Sequence, residues 1–467
     1  MSLQNFLKNL KTIKRGHPPT VCSKPNQAIS EIISKTLNTS APKPVNTTTF
    51  LGNLNPATLL HIITDPDLKS SKCLRFFDFL LQNQSLMSFK PDLEAHLTLT
   101  LRLLRERRFS DAEKKIQSVA VIEYSTYPFS VIAPTVGNCC NDPKVVAKFF
   151  NSMLKVYSDC RMFDLVSEVF DYMKIKGIGM DERTCTVHLL TLRSADLLQW
   201  GLDFFYRMVE SDVEVSVYSL TVMVDWFCRS GEVKRGRELV EEMIGRGIKP
   251  NSVTFNVMLN ACAKRWDFVE LDTVLLLMEK EGVEFNDKTY KILIEGFTSF
   301  GEFDQAKKLV WEMHDKGLKV DTYLCNLIIS GYSRLGFMDS AQSVFDELTE
   351  RRIFPNYDTY WALISGFCKA GEMGRAMAYV NKMHAEGIEL DSVMFNTLID
   401  GLCKEGMVDE AFELQVLMEN KGLIADLSVC EKIMSGLCKM NRAEEAKRLL
   451  NVMVKRGASS VIARFTA

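Results

Sequence analysis

Thirteen cysteines and six histidines are the side chains of this 467-residue chain best suited to redox chemistry or metal binding. Their spacing argues against both. The histidines are scattered, and none stands at ligand spacing from a second histidine or from a CxxC pair. Cys139 and Cys140 are adjacent in an expected loop, too close together for an ordinary metal clamp. Cys228, Cys368, Cys403 and Cys438 recur at the "GLCK" position of a helical stretch, where a thiol serves as a small packing group. No phosphate-binding glycine loop, nucleophile elbow or HExxH motif occurs. Neither an enzyme nor a metal or other cofactor is expected. What remains is hydrogen-bonding chemistry. Asn256, Asn326 and Asn396 stand inside otherwise apolar stretches, where helix propensity does not favour asparagine.

The elements that would position these amides are written in a period of thirty-five. Glycine recurs at Gly296, Gly331, Gly366, Gly401 and Gly436, and again at Gly301, Gly336, Gly371 and Gly406, with Asn441 in the next slot. Alanine recurs at Ala306, Ala341, Ala376, Ala411 and Ala446. Methionine recurs at Met173, Met208, Met243, Met278 and Met313, then after Leu348 at Met383, Met418 and Met453. A register kept this long marks a tandem array.

Each unit reads as two helices. Val393, Phe395, Leu398, Ile399 and Leu402 follow a 3.6-residue period, and Gly406 stands where a left-handed residue would close the helix. Asp409 suits the N-cap of a second helix, whose stripe is Ala411, Leu414, Leu417 and Met418 before Gly422. Hairpins this short hide both stripes only by stacking. The expected fold is all-α: a right-handed α-solenoid superhelix of nine to ten hairpins with a concave groove. Nine units are placed at 147–181, 182–216, 217–251, 252–286, 287–321, 322–356, 357–391, 392–426 and 427–461, leaving a tail at 462–467. Residues 93–146 hold a degenerate repeat and an irregular segment, and 51–92 an N-terminal helical cap.

Length alone would suggest about three domains, but an array grows by stacking and has no single centre. Composition is ordinary for a soluble protein, with 46% hydrophobic and 25% charged residues. The cysteine usage fits a reducing compartment. No run of about eighteen apolar residues exists to span a membrane. Charge is uneven. Residues 1–50 carry seven Lys or Arg against Glu31 alone, leaving 50 bases and 58 acids, a net of −8, for the rest. Leu3, Phe6, Leu7, Leu10 and Ile13 lie at helical spacing among the early lysines, as in a transit peptide directing a chain to the mitochondrion, with the chloroplast as alternative.

The thirty-five-residue hairpin with "FNTLIDGLCKEGMVDEA" (395–411) and "MENKGLIAD" (418–426) resembles the pentatricopeptide repeat of plant organellar RNA-binding proteins, over about two thirds of the chain. Units of equal length resemble its pure P subclass. The resemblance implies a sequence-specific binder of single-stranded organellar RNA, acting in processing, end stabilisation, intron splicing or translation. A monomer with other RNA-processing proteins as further partners is expected. In that family one unit reads one base through its fifth and last residues. Carried over, Asn151 with Asp181 and Asn396 with Asp426 imply U, and Thr221 with Asn251 implies A. Asn256 with Asn286, and Asn326 with Asn356, imply a pyrimidine, and Thr186 with Ser216 a purine. Lys291 with Asp321, Trp361 with Asp391, and Glu431 with Val461 depart from the pattern and carry no assigned base. The implied footprint is 5′-U-R-A-Y-N-Y-N-U-N-3′. At the second place, where the family sandwiches the base, Val253 and Val393 fit; Lys148, Arg183, Tyr218, Lys288, Tyr323, Asp358 and Ser428 do not, although Tyr218, Tyr323 and Arg183 could still stack and the lysines could reach a phosphate. The same asparagines and aspartates would also serve as caps. The acidic array leaves a second reading open, a scaffold holding a protein partner in its groove.

Overall fold

The computed structural model describes residue 51 and residues 54–211, 213–423 and 427–448. Every regular element among them is helical, and the helices pair as the hairpins of an α-solenoid. The chain divides into two compact units, residues 1–226 and 227–467.

In the first, helices Pro56–Thr64 and Ser70–Gln82 precede the hairpin Leu93–Arg105/Phe109–Gln117. A π-helical turn, Ser118–Ile122, ends that hairpin, and the helix Phe129–Cys139 follows with Pro134 inside it. Cys139 therefore closes a helix instead of lying in a loop, and Cys140 is buried just after it. Hairpins Pro143–Asp159/Phe163–Lys176 and Glu182–Ser194/Leu198–Val209 come next. Two histidines are sealed in this core. His96 meets the Phe77 ring edge-on at 4.8 Å, and His188 shares a 3.0 Å hydrogen bond with Ser158. Burial pushes both imidazoles down to about 4, with Lys115 adding to the effect on His96 and Arg207 on His188.

The second unit repeats one hairpin. Its pairs are Ser252–Arg265/Phe268–Lys280, Asp287–Phe300/Phe303–Asp315, Thr322–Leu335/Met338–Glu350, Tyr357–Lys369/Met373–Ala385 and Ser392–Lys404/Val408–Asn420, followed by Leu427–Lys439. One hydrophobic cluster runs from Tyr290 to Ala446. The helices stop where the backbone turns left-handed, at Gly301 (φ +95°), Gly336 (φ +81°) and Gly406 (φ +76°), a conformation that costs glycine nothing. The second helix of the 392–426 unit does not begin as the sequence suggests. Met407 takes the N-cap position without a side-chain hydrogen bond, and Asp409 lies inside the first turn, where it pairs with Arg442. An acid there still favours the positive end of the helix dipole.

The two small-residue series have a steric cause. Ala306, Ala341, Ala376 and Ala411 are wholly buried. A Cβ added at Gly331 would fall 2.0 Å from the Phe303 ring, and one at Gly401 would fall 2.8 Å from the Met373 sulfur. Each such glycine lets a first helix press on the start of the second helix before it. In the first unit the sizes are exchanged. Trp226 occupies the glycine place, and the alanine place of the preceding hairpin shrinks to Gly201, whose Cβ would lie 2.3 Å from the indole.

Candidate functional site

Six of the first helices begin on the last residue of the preceding unit. Asp181, Asn251, Asn286, Asp321, Asn356 and Asp391 are all N-caps whose side-chain oxygens accept backbone N–H groups two or three residues on. All six stay exposed, so the cap oxygen is engaged while the rest of the group faces solvent. Capping is therefore a full account of why a short polar side chain stands here, but not of what its other atoms can do.

Three fifth-place asparagines reach back to these caps. Asn326 Nδ2 donates to Asn356 Oδ1 at 3.0 Å, while its own Oδ1 accepts the Thr359 hydroxyl at 2.7 Å. Asn256 Nδ2 donates to Asn286 Oδ1 at 3.3 Å, and Asn286 Nδ2 continues to Ser252 at 3.0 Å. Asn151 Oδ1 accepts from the Asp181 backbone N–H at 2.8 Å, and its Nδ2 donates to the carbonyls of Ala147 and Gly179. Spacing alone suggested two side chains presented side by side. Instead the inner one is nearly covered, with Asn256 3% and Asn326 8% exposed, and the outer one stands in front of it. Asn256 Oδ1 is buried and has no hydrogen-bond partner among the described residues.

Other pairs differ. Thr186 is buried and bonds Ser219 at 2.6 Å; Glu182 accepts from Ser216 and Ser219. Burial raises the Glu182 carboxyl, but the hydrogen bonds from Ser216 and Ser219 outweigh it and hold the group below its usual range. Thr221 donates to the Val217 carbonyl at 2.7 Å. Lys291 is exposed and turns to the Tyr323 ring, 5.5 Å away, and to Glu295. Asn396, Trp361 and Glu431 are half-buried, and Asp426 and Val461 lie outside the described residues.

The second-place side chains with a stacking face or branch are exposed. Tyr218 is 63% exposed, Val253 52%, Tyr323 45% and Val393 57%, and Arg183 is exposed as well. Eleven residues further on, a helix returns to within about 20° of the same stripe, roughly 16 Å along its axis. In the second unit that thirteenth place holds Arg229, Lys264, Arg334, Lys369 and Lys404, all exposed, with Ser299 as the one break. This basic row escaped sequence reasoning, although its thirty-five-residue spacing was there to be read. Summing charge over the whole array hid it.

Burial pushes Cys368 up to about 12 and Cys403 up to about 11, with Asp400 adding to both. No group of three potential metal ligands occurs, and no helix is long and apolar enough to cross a membrane, among the described residues.

Models of the PPR repeat family match residues 215–264 and 320–369, and models of the PPR repeat match 149–178, 253–283, 288–318, 358–388, 386–419 and 432–457. Together they span more than half of the chain. This chain belongs to the PPR repeat family. Pentatricopeptide repeat-containing protein At2g32630 of Arabidopsis thaliana is 37% identical over 147 residues, 31% of this chain and 23% of that protein. At2g16880 of the same plant is 26% identical over 250 residues, 50% of this chain and 33% of that protein. The PPR array thus spans about a quarter to a third of the length of these relatives. The crystal structure of PPR10 in complex with an 18-nt psaJ RNA element aligns with a TM-score of 0.40 at 19% identity, covering 97% of this chain and 66% of that one.

Proposed function

We propose that this chain is a P-subclass PPR array that binds single-stranded RNA sequence-selectively, one nucleotide per unit, on organellar transcripts and without catalysis of its own. The observation that carries this reading is the N-terminal turn of the first helices in the 217–251, 252–286, 322–356 and 392–426 units. There an exposed flat or branched side chain, such as Tyr218, Val253, Tyr323 or Val393, stands beside hydrogen-bonding groups at the fifth and last places. A splayed base can stack on the former while the latter meet its Watson–Crick edge. The orphaned Asn256 Oδ1 fits this use, because a buried acceptor without a partner costs roughly 1–3 kcal/mol and a pyrimidine N–H would relieve it. The thirteenth-place cations answer the net acidity of the array by placing positive charge locally on the same stripe, where phosphates would run.

Equal unit length supports the P subclass. The basic, amphipathic start supports mitochondrial import; curated relatives carry either label, At3g09040 mitochondrial and At1g15510 chloroplastic. Occupying a transcript in this way would block an exonuclease, or keep a segment unpaired for splicing or translation, in company with other RNA-processing proteins. The test is crosslinking in isolated mitochondria and chloroplasts followed by sequencing of the bound RNA. Enrichment of sites resembling 5′-U-R-A-Y-N-Y-N-U-N-3′ is expected; recovery of no RNA favours the protein-binding scaffold, the reading that the net charge of −8 over residues 51–467 supports.

A further inference from the structure

Trp266 is an exception to the rule that closes the first helices. Gly231, Gly301, Gly336, Gly371 and Gly406 hold this place in five other units and Arg161, Asp196 and Asn441 in three; Trp266, the bulkiest and the one aromatic side chain in the series, adopts the same left-handed backbone, φ +59°. A side chain with a Cβ is strained there. Packing does not repay the strain, since the indole is 61% exposed. Phe300, from the next first helix, is 47% exposed and meets the indole at 6.1 Å, inclined by 66°. Behind it Phe268 packs against Phe300 at 4.5 Å, tilted by 51°, and stacks on Phe297 at 5.9 Å, so the outer rings rest on an aromatic base.

We propose that Trp266 and Phe300 form a platform on which a nucleobase of the bound single strand stacks, outside the paired positions that read sequence. The proposal rests on the RNA-binding reading and extends it. Its ligand must be flat and accompanied by negative charge, which is the chemistry of a nucleotide. Lys264, two residues before the indole, is exposed and forms no ion pair among the described residues. Arg265 is pinned by a 2.6 Å hydrogen bond to the Cys228 carbonyl. The row of thirteenth-place cations breaks at Ser299, and the aromatic pair sits at that break, with Phe300 next in sequence. Stacking takes over at the step where a phosphate contact is missing. Of the nearby acids, Asp267 is engaged in accepting the Glu270 N–H at 3.0 Å, and Glu302 follows Phe300 by two residues, which a neutral base face tolerates.

The experiment uses the full chain, the variants W266G, W266F and Y323A, and a labelled oligouridine long enough to span the array. Glycine relieves the left-handed backbone, so W266G should unfold at no lower urea concentration than the wild type while binding RNA about tenfold more weakly, the scale of one lost stack. Phe retains a stacking face, so W266F should bind within about twofold of the wild type. Tryptophan emission should be quenched by RNA more in the wild type than in W266F. If W266G binds as tightly as the wild type while Y323A binds weakly, the platform is wrong and the RNA-binding reading stands. W266F as weak as W266G would also refute stacking. If the wild type itself binds no RNA, both readings fall together; if W266G instead loses a protein partner and no RNA affinity, the surface is a protein interface.

Discussion

Replacing Asn326 by alanine separates what holds the array together from what reads a base. The side chain makes two hydrogen bonds, to Asn356 Oδ1 at 3.0 Å and from the Thr359 hydroxyl at 2.7 Å. Neither partner is stranded by its loss. Thr359 also donates to Asn356 Oδ1 at 3.0 Å, and Asn356 continues to accept the Thr359 N–H at 3.0 Å. At about 1 kcal/mol per neutral hydrogen bond, the variant should lose about 2 kcal/mol of stability and keep its fold. Base discrimination is a different quantity. If the Asn326 amide contributes to the edge contact, its loss should remove roughly 1–3 kcal/mol of preference at one nucleotide, about fivefold or more in relative affinity. The assay is filter binding with four RNAs that differ only at the sixth position of the footprint, beside a urea titration of the same protein. The wild type should favour pyrimidines there and N326A should bind all four alike, with neighbouring positions unchanged. Should N326A unfold markedly earlier while its pyrimidine preference survives intact, Asn326 is a structural pin and the paired-residue reading fails at this unit.

Four further outcomes follow from the packing. Gly201→Ala should destabilise the chain by about 1 kcal/mol net, because a Cβ 2.3 Å from the Trp226 ring costs roughly 1–3 kcal/mol and outweighs alanine's helix propensity gain of about 1 kcal/mol. Gly374→Ala, with nothing within 4 Å, should instead stabilise by about 0.5 kcal/mol, and urea unfolding followed by circular dichroism reads both signs. Arg352 is exposed and left-handed at φ +59° where Gly317 and Gly387 stand in other units, so Arg352→Gly should raise stability by about 0.5–1 kcal/mol, measured as a higher urea midpoint. His96 and His188 have folded pKa values near 4, below the ordinary 6.5, so the unfolded chain binds protons first. Their neutral forms therefore stabilise the fold fully above about pH 6.5, and that contribution drains as pH falls towards 4. Moving from pH 7 to 5 should cost about 2 kcal/mol per histidine, and His188→Gln should flatten the dependence in paired urea titrations.

The hairpin period, the left-handed glycines and the buried alanine and methionine slots were all legible in the sequence, because each is forced by local geometry repeated at one interval. Asp409 was misplaced as a cap because a polar residue near a helix start fits the N-cap and the first turn equally well, and only the backbone of Met407 tells them apart. The fifth and last places could be located by counting, but not their depth. That Asn326 lies behind Asn356 depends on how the first helix rolls against the next one, a tertiary matter that spacing does not encode. The basic row was missed for a different reason: Lys264, Arg334, Lys369 and Lys404 are plain in sequence, yet their meaning depends on a shared stripe with Val253 and Tyr323.

The exchange of sizes between Gly201 and Trp226 limits how this array can be edited. An array of interchangeable parts could be lengthened, shortened or reshuffled at any joint. Here the 182–216 and 217–251 hairpins are keyed to one another, tooth to socket, and a graft that brings one without the other must set an indole against a Cβ or leave a hole beside a glycine. Whoever rebuilds this protein to recognise a new target should cut elsewhere and move those two as a single cassette.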